Sequence, residues 1–551
     1  MRRWSEQAAG GHGEEPGGEA PFADPVTLEV IGARAFVARL APYSASARAG
    51  SSRVRSYAPE ELEAWRAEIE ALRALDRWYH DCPQAQRPSA DALRELPTLE
   101  RALRRLELHE VLRDAELFEI KRFFFYGLAL LEAVEGADGL PLSDDPDAEA
   151  LRQAMAGMHP EARPTARFHL SDQLDPELAA ARKAQRQAAR ELRGRREALE
   201  AEICDSYGGR FDLRGRYRPE AGTTPDDPRL EWRAGAWHLI APPVADAAQA
   251  LDRAEVLVAE CEQALRKRLS ERLAPLAPRI QALHQALVRF DERLARVRLK
   301  AELGACWPTL APESAGASSP AVMHLAHGRD PGLVDRLADQ VQPIDVTLEE
   351  ALTVVLGPNM GGKSALLKLV GLCHFCAQAA LPVPAHSFVF SPFHALIYVG
   401  SEEPGGASDS EGLSSFGREV RRLVKHWEGR SPRLWLLDEL GRGTHPQEGA
   451  KFARAVMEAR AAAGDRLVVA THFPELAALQ GVARLRIRGL EVSDEALRSA
   501  LAGVDEGELD RLTAGLRGLM DYRPRASQAT DVPRDAWRVA RALGLELGEF
   551  K

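Results

Sequence analysis

The sequence predicts an α/β fold for the second half of the chain, and three observations support this prediction. Short apolar runs alternate with helix-forming stretches from residue 341 onward. One run, Leu352 to Leu356, leads directly into a glycine-rich loop, and an apolar helical stretch follows that loop. Alternating strands and helices are typical of a parallel sheet covered by helices, with the ligand at the carboxyl ends of the strands.

The glycine-rich loop matches the phosphate-loop pattern G-x-x-x-x-G-K-S. It consists of Gly357, Pro358, Asn359, Met360, Gly361, Gly362, Lys363 and Ser364. Glycines let backbone N–H groups turn toward phosphates, the lysine neutralises the β and γ oxygens, and the serine hydroxyl binds Mg²⁺. The positive end of the following helix points at the same anion. The loop therefore predicts a site for a nucleoside triphosphate with Mg²⁺.

Two later strands end in polar residues of the kind that such a site needs. Arg433 precedes an apolar run, residues 434–437, that ends in Asp438 and Glu439, and residues 467–470 lead to Thr471 and His472. Asp438 is predicted to bind Mg²⁺, and Glu439 to orient and deprotonate the attacking water. Alone, strand-end acids are also common as solvent-exposed caps, and a single histidine is more often structural. The phosphate loop upstream favours the catalytic interpretation, with His472 sensing the γ-phosphate.

The first half is predicted to be largely helical. The predicted organisation is a disordered or poorly defined tail at 1–58, a helical core at 59–175, a helical lever at 176–303 with a small β insert at 207–240, a return to the core and linker at 304–340, the α/β domain at 341–490 and a helical region at 491–551. Two long helices around a small β element predict a lever arm. A plain antiparallel coiled coil without a functional tip is the alternative.

Composition limits the classes of function. The 551 residues carry a formal net charge of −10, which argues against a uniformly basic DNA-binding surface. No long apolar stretch predicts a membrane span, so no membrane partner is expected. Six scattered cysteines fit a reducing cytoplasm. Cys373 and Cys376 form a C-x-x-C pair, which we interpret as helix packing because no second pair has ligand spacing.

One local cluster of basic residues is a candidate DNA contact. It comprises Arg182, Lys183, Arg186, Arg190 and Arg193, followed by Arg195 and Arg196. A solvated face of a long helix explains the same pattern equally well.

The motifs of the second half together resemble the MutS family ATPase. The phosphate loop, Gly406 to Ser410, Ser414 to Phe416, Asp438 to Thr444 and Thr471-His472 occur in that family's order and approximate spacing. The resemblance implies an ABC-type P-loop ATPase, in which two subunits pair head to tail, as a homodimer or a MutS-like heterodimer. It implies that Ser414 is the signature serine that reaches ATP across the dimer. It also implies that residues 341–490 are the MutS-type ATPase domain and that the helical region 491–551 serves in dimerisation. More weakly, residues 59 to 340 resemble the family's core, lever and clamp.

The departures from the family pattern bear on the substrate. About 58 residues precede the predicted core, too few for the amino-terminal domains of mismatch-recognising members. The Phe-x-Glu tripeptides at Phe290 and Phe473 are not placed to wedge into DNA. We therefore expect a mismatch-repair-related ATPase without its own mismatch reader, which binds double-stranded or branched DNA and couples hydrolysis to lever movement.

Two other functions remain open at this point. The chain also resembles short MutS relatives that reactivate cobalamin-dependent aminomutases, which implies a protein-remodelling ATPase with an aminomutase as partner. A degenerate ATPase that serves as a scaffold is least favoured, because the residues expected to act on ATP are all present.

Overall fold

The structure, a computed structural model, divides into two compact units along the chain. It describes residues 22–50, 54–134, 148–156, 158, 170–212, 214–220, 224–312, 322–358, 361–400, 415–501, 518–528, 538–539 and 541. One unit combines 1–42, 48–81 and 292–551, and we call it the ATPase unit because it contains the predicted ATPase domain; the other combines 43–47 and 82–291, and we call it the helical unit.

Helices make up most of the described chain. They are α1 (Pro25–Val30), α2 (Ala33–Val37), α3 (Ala45–Gly50), α4 (Leu62–Asp81), α5 (Pro83–Arg94), α6 (Glu100–Glu107), α7 (Asp114–Val134), α8 (Ala148–Ala156), α9 (Pro176–Tyr207), α10 (Pro242–Leu273), α11 (Ala277–Leu303), α12 (Pro331–Leu337), α13 (Lys363–Gln378), α14 (Ser415–Lys425), α15 (Pro446–Ala462), α16 (Pro474–Ala477) and α17 (Asp494–Leu501). Short 3-10 turns lie at Pro59–Glu61, Ala274–Leu276 and Ala338–Gln340.

The described strands form three sheets. They are β1 (Arg210–Phe211), β2 (Arg216–Arg218), β3 (Leu230–Arg233), β4 (Ala236–Leu239), β5 (Thr309–Leu310), β6 (Met323–Gly328), β7 (Ile344–Leu348), β8 (Leu352–Leu356), β9 (Ser387–Phe390), β10 (Leu396–Gly400), β11 (Leu434–Asp438), β12 (Arg466–Ala470), β13 (Val482–Gly489) and β14 (Asp521–Ala526).

The central sheet of the ATPase unit has six strands in the order β10-β11-β12-β8-β13-β14. All neighbours are parallel except β13 and β14, which are antiparallel. Strands β8, β10 and β11 are buried throughout, as expected for a parallel sheet covered on both faces. The α/β fold predicted for this region is therefore confirmed, and β12 lies between the strands that end in the two main motifs.

Alternate residues of the central strands pack into two cores. Leu434 and Leu436 of β11 belong to one hydrophobic cluster, which includes much of α13, whereas Trp435 and Leu437 belong to another, which includes α15. This alternation is the period of a β-strand, whose successive side chains point to opposite faces. The nucleotide-binding half thus forms a layered domain whose sheet is fixed from both sides.

A second sheet in the ATPase unit has the order β5-β9-β6-β7. Residues 304–340, predicted as a return to the core and linker, supply β5, β6 and α12. Met323 and Leu325 on β6 are buried in the same cluster as α13. The strands of this segment were not predicted, because they are short and their apolar alternation is weak.

The tail prediction is wrong for residues 22–50. Phe22 accepts a hydrogen bond from the N–H of Leu396 at 2.7 Å, so this segment extends the central sheet beside β10. Ile31 and Phe36 are 1 % and 2 % exposed in the main core. Asp24 caps α1 by accepting from the Thr27 N–H at 2.8 Å, and Pro25 follows at the first helical position. Residues 1–21 lie outside the described chain.

The predicted C-terminal helical region, 491–551, contains a strand. β14 pairs with β13 at the edge of the central sheet. Its sequence, Asp521 to Ala526, is charged and includes Pro524, which is tolerated at an edge strand but hides the strand from pattern analysis. Helix α17 precedes it, and much of the remaining tail lies outside the described residues.

The helical unit carries two long helices joined through a small sheet. Asp175 caps α9 through the N–H groups of Glu177 and Leu178, at 2.7 and 3.3 Å. Helix α10 returns beside α9, and Arg182 of α9 donates to Glu262 of α10 at 2.8 Å. Strands β1-β2-β4-β3 between them form an antiparallel sheet. Residues 59–175, predicted as one helical core, form α4 to α8 and are split between the two units.

One buried histidine on α13 makes the stability of the ATPase unit depend on pH. His374 is 0 % exposed among Phe388, Phe390 and Phe393, with ring centroids 6.2, 5.4 and 4.8 Å away. Burial lowers its pKa from 6.5 to about 3. The unfolded chain therefore binds a proton that the folded chain excludes between these pH values, and stability falls as pH drops through this window.

We expect His374→Phe to flatten this dependence. The slope from this residue is about 1.4 kcal/mol per pH unit below about pH 6.5, and urea unfolding at pH 7.5 and pH 5 measures it. His386→Phe, an exposed histidine of the same unit, is the control. An unchanged pH dependence in His374→Phe would contradict the assignment.

Candidate nucleotide site

The glycine-rich loop joins β8 to α13, as the sequence predicts. Gly362 precedes α13 with φ +88°, and a Cβ there would lie 2.9 Å from Cδ1 of Tyr522. A Cβ on Gly361 would lie 2.8 Å from the carbonyl oxygen of Pro358. Gly362 thus requires glycine for both conformation and space, and Gly361 requires it for space. Asn359 and Met360, predicted to contact phosphate, lie outside the described residues.

Lys363 is the first residue of α13 and is 5 % exposed. Its Nζ donates to the carbonyl oxygens of Gly357 and Pro358, each at 3.1 Å. It lies 3.8 Å from Oε1 of Glu439. Burial lowers the pKa of Lys363, while the carboxylates of Glu439 and Asp438 act in the opposite direction. The ammonium group is thus held inside the loop by carbonyls that bind it less strongly than a triphosphate would. Ser364, next on the helix, is half-buried.

The two predicted acids stand at the end of β11. Asp438 is 4 % exposed, and its Oδ2 accepts a hydrogen bond from the hydroxyl of Tyr398 at 2.8 Å. Glu439 has φ +56°, a region that non-glycine residues seldom occupy. Its N–H donates to the carbonyl of Ala470 at 2.9 Å, and its Oε2 accepts from Arg442 at 2.6 Å. This backbone conformation is strained, and the Glu439 carboxylate lies near Lys363. Such backbone outliers are found at functional sites.

His472 follows β12, between β11 and β8. Its ring is exposed and lies 4.2 Å from the ring of Phe473, centroid to centroid. The neighbouring Thr471 N–H donates to Val355 of β8 at 3.2 Å. Strand order therefore places His472 at the same sheet edge as Lys363 and Glu439, while its role toward a γ-phosphate stays a prediction.

Two residues near this edge were missed by sequence reasoning. The ring of Tyr522 on β14 covers Gly362, and its N–H donates to Oε1 of Gln342 at 2.9 Å. Tyr398 reaches Asp438 from β10. Neither residue belongs to a motif, and each is brought to the site only by strand pairing.

The structure describes the residues predicted to bind Mg²⁺ but not the predicted signature serine. Ser414, the predicted signature serine, and residues 406–410 lie outside the described chain, and α14 begins at the next residue, Ser415. Among the described residues, no cluster of three or more His, Cys, Asp or Glu side chains is arranged to hold a metal. Ser364 and Asp438 are the residues that would hold Mg²⁺, completed by phosphate oxygens as is usual for this ion.

The predicted DNA-contact residues all lie on α9 in the helical unit. Arg182 is tied to Asp172 at 2.9 Å and to Glu262 at 2.8 Å, and Arg186 lies 3.5 Å from Asp172. Lys183, Arg190 and Arg193 are exposed, and within the described chain no carboxylate lies within ion-pair distance of them. The ion pairs of Arg182 give it a structural role within the helical unit, and a DNA contact of any of these residues stays a prediction.

Part of the chain is similar to known proteins. Residues 353–501 match the family model described as MutS domain V. The chain is 38% identical over 227 residues to the Endonuclease MutS2 of Thermomicrobium roseum, which is 39% of this chain and 28% of that protein. It is 36% identical over 232 residues to that of Listeria monocytogenes serotype 4a, which is 41% of this chain and 28% of the relative.

The chain is also similar to the Endonuclease MutS2 of Clostridium botulinum. The two are 34% identical over 207 residues, which is 37% of this chain and 24% of the relative. The chain thus spans 28% or less of the length of these relatives. In the described part of the structure, no helix is both long enough and apolar enough to cross a membrane.

Proposed function

We propose that this chain is a MutS-family ATPase, which binds ATP with Mg²⁺ at residues 357–364 and hydrolyses it, because residues 353–501 match MutS domain V and part of the chain is similar to proteins named Endonuclease MutS2. The observation that carries the proposal is the approach of Lys363 to Glu439, at 3.8 Å. A phosphate-loop lysine and a strand-end acid, far apart in sequence, meet at one sheet edge. This is the pairing that phosphoryl transfer to water requires.

The residues of the site have different roles in the proposed reaction. Lys363 exchanges the carbonyls of Gly357 and Pro358 for the β and γ phosphates, while the loop N–H groups and the start of α13 bind the same anion. Ser364 and Asp438 hold Mg²⁺, which supplies charge neutralisation on the phosphates when bound. Glu439 orients the attacking water and accepts its proton. His472 donates a hydrogen bond that senses the γ-phosphate.

Dimerisation and movement belong to the same proposal. The family resemblance supports a head-to-tail dimer in which Ser414 of one subunit contacts nucleotide bound to the other. We propose that closure of this dimer, as a homodimer or with a related chain, moves the paired helices α9 and α10. The C-terminal residues 491–551 are proposed to contribute to dimerisation alongside the strand that they supply to the central sheet.

The proposed client is duplex or branched DNA. The relatives are named endonucleases, which act on nucleic acid. On α9, Lys183, Arg186, Arg190 and Arg193 follow one another at three- and four-residue spacing, and so form one stripe about 15 Å long. A stripe of cations with few local carboxylates fits a phosphate backbone.

Salt-dependent DNA binding tests this stripe. We expect the full chain to bind duplex DNA with an affinity that falls as salt rises, and K183Q/R190Q/R193Q to reduce the magnitude of the log–log salt slope by about 2 to 3, roughly 0.9 per lost phosphate contact. Fluorescence anisotropy at several salt concentrations measures the slope.

The matched control is R195Q/R196Q on the same helix. These arginines pair with Glu191 at 2.5 Å and with Glu200 at 2.7 Å, so their loss should change the slope little. If both variants change the salt slope equally, the stripe is not the DNA-binding surface. If the chain binds no DNA at low salt and an inactivated cobalamin-dependent aminomutase stimulates its ATPase instead, the reactivase alternative replaces the DNA client.

A further inference from the structure

The carboxylate of Asp438 is held by a tyrosine from the neighbouring strand. Tyr398 on β10 is 0 % exposed, and its hydroxyl donates to Oδ2 of Asp438 at 2.8 Å. The register pairs Gly400 with Asp438. A Cβ at Gly400 would lie 2.9 Å from Cβ of Asp438 and 3.0 Å from the Tyr398 hydroxyl oxygen. The glycine therefore leaves the space in which the tyrosine hydroxyl meets the carboxylate.

The backbone of Tyr398 is fixed on both sides. Its N–H donates to Oγ1 of Thr27 at 3.2 Å, and its carbonyl accepts from Nε of Arg422 at 2.5 Å. Arg422 lies on α14 and is 6 % exposed. Its Nη2 also donates to Oγ1 of Thr27 at 2.8 Å. Tyr398 is thus tied both to α1 and to α14, the helix that follows the predicted signature serine.

A buried ion pair with Asp24 holds Arg422 in place. Arg422 donates to both oxygens of Asp24, at 2.9 and 3.1 Å, and Nε2 of His426 lies 3.0 Å from Oδ2 of the same carboxylate. Burial raises the pKa of Asp24, but the hydrogen bonds from His426 and Arg422 outweigh it and hold the pKa far below its usual value. Two-pronged contacts between arginine and a carboxylate are geometrically specific, so the Arg422 side chain has one position.

We propose that Tyr398 is a positioning residue that sets the orientation of Asp438 toward Mg²⁺, and that the Asp24–Arg422 pair keeps Tyr398 in place. The inference rests on the proposed role of Asp438 as a metal-binding residue. Mg²⁺ demands near-octahedral geometry, so a carboxylate with freedom to rotate binds it less well. The hydroxyl bond to Oδ2 sets the rotamer of Asp438, and with it the direction in which the second oxygen points.

The test is the Mg²⁺ requirement of ATP hydrolysis by the full chain, measured together with the Mg²⁺ concentration at which ATP raises its thermal midpoint. Tyr398→Phe keeps the buried ring and removes only the hydroxyl. We expect the Mg²⁺ concentration for half-maximal rate to rise about 10-fold or more, the usual effect of losing a group that orients a metal ligand. The KM for ATP at saturating Mg²⁺ should stay near that of the unaltered protein. Arg422→Lys, which loses the two-pronged contact and the bond to the Tyr398 carbonyl, should shift the Mg²⁺ requirement in the same direction.

A structural role alone would give a different result. If Tyr398→Phe and Arg422→Lys lower the thermal midpoint but leave the Mg²⁺ requirement unchanged, the proposal is overturned. Tyr217→Phe, which removes a buried tyrosine hydroxyl in the helical unit, is the control and should not change the Mg²⁺ requirement. If the unaltered protein neither binds nor hydrolyses ATP, the proposed function is wrong. If both variants hydrolyse ATP normally with an unchanged Mg²⁺ requirement, only this inference is wrong.

Discussion

Lys363→Ala is expected to abolish ATP binding, with affinity lowered at least about 100-fold. The ammonium group is buried in the loop, where it would make at least two charge-assisted hydrogen bonds to phosphate, each contributing about 1.5–3 kcal/mol. Since about 1.4 kcal/mol corresponds to a factor of ten, the loss of both bonds exceeds a hundredfold. Titration with a fluorescent ATP analogue measures the affinity directly.

Thermal stability distinguishes a loss of ATP binding in Lys363→Ala from a loss of folding. Lys363 is buried at a desolvation cost that lowers its pKa, so its removal should leave the thermal midpoint of the nucleotide-free protein near its original value. ATP should raise the midpoint of the unaltered protein and not that of the variant. Lys451→Ala, an exposed lysine on α15, is the control and should keep full affinity. Retained ATP affinity in Lys363→Ala would refute the assignment of the loop.

Glu439→Gln is expected to separate binding from hydrolysis. Loss of the general base should lower the hydrolysis rate by about 10²- to 10⁴-fold, while the phosphate loop and Lys363 still bind ATP. Glutamine has the same shape as glutamate, so it fits beside Ala470 and Arg442. If the family's head-to-tail dimer forms on ATP binding, the slow variant should accumulate as the dimer. Single-turnover hydrolysis and light scattering with and without ATP measure both effects.

A matched acid provides the comparison for Glu439. Glu458 on α15 is exposed and pairs with Arg454 at 2.8 Å, and Glu458→Gln should hydrolyse ATP normally. Turnover at the normal rate in Glu439→Gln would show that another group accepts the proton. Slow turnover without any change in size would leave the role of Glu439 intact and count against the dimer.

The central motifs were predictable because each is local. Residues 352–378 hold a strand, a phosphate loop and a helix within one continuous segment, and the loop chemistry depends on residue types at fixed spacing. The strand that ends in Asp438 is likewise a continuous apolar run, and two acids follow it directly. Such signals persist whatever surrounds them, which is why the α/β assignment and the candidate phosphate-binding residues follow from sequence.

Segments with weak patterns were misassigned for a physical reason. Residues 22–50 form short helices whose apolar residues, such as Ile31 and Phe36, find partners only in distant parts of the chain. Strand β14 is polar and exists because β13 offers it a pairing edge. Isolated short elements have little intrinsic stability, so their formation depends on tertiary contacts that local patterns do not contain.

By itself, the sequence determined the chemistry available at the site: a phosphate loop, a lysine, a hydroxyl and two acids at the ends of predicted strands. Only the tertiary structure decided which distant residues surround them. It brought Glu439 to Lys363, placed Tyr398 on Asp438, covered Gly362 with Tyr522 and joined Asp24 to Arg422. These contacts arise from strand order and from helix packing against the sheet, which are set by the burial of the whole domain rather than by any short segment.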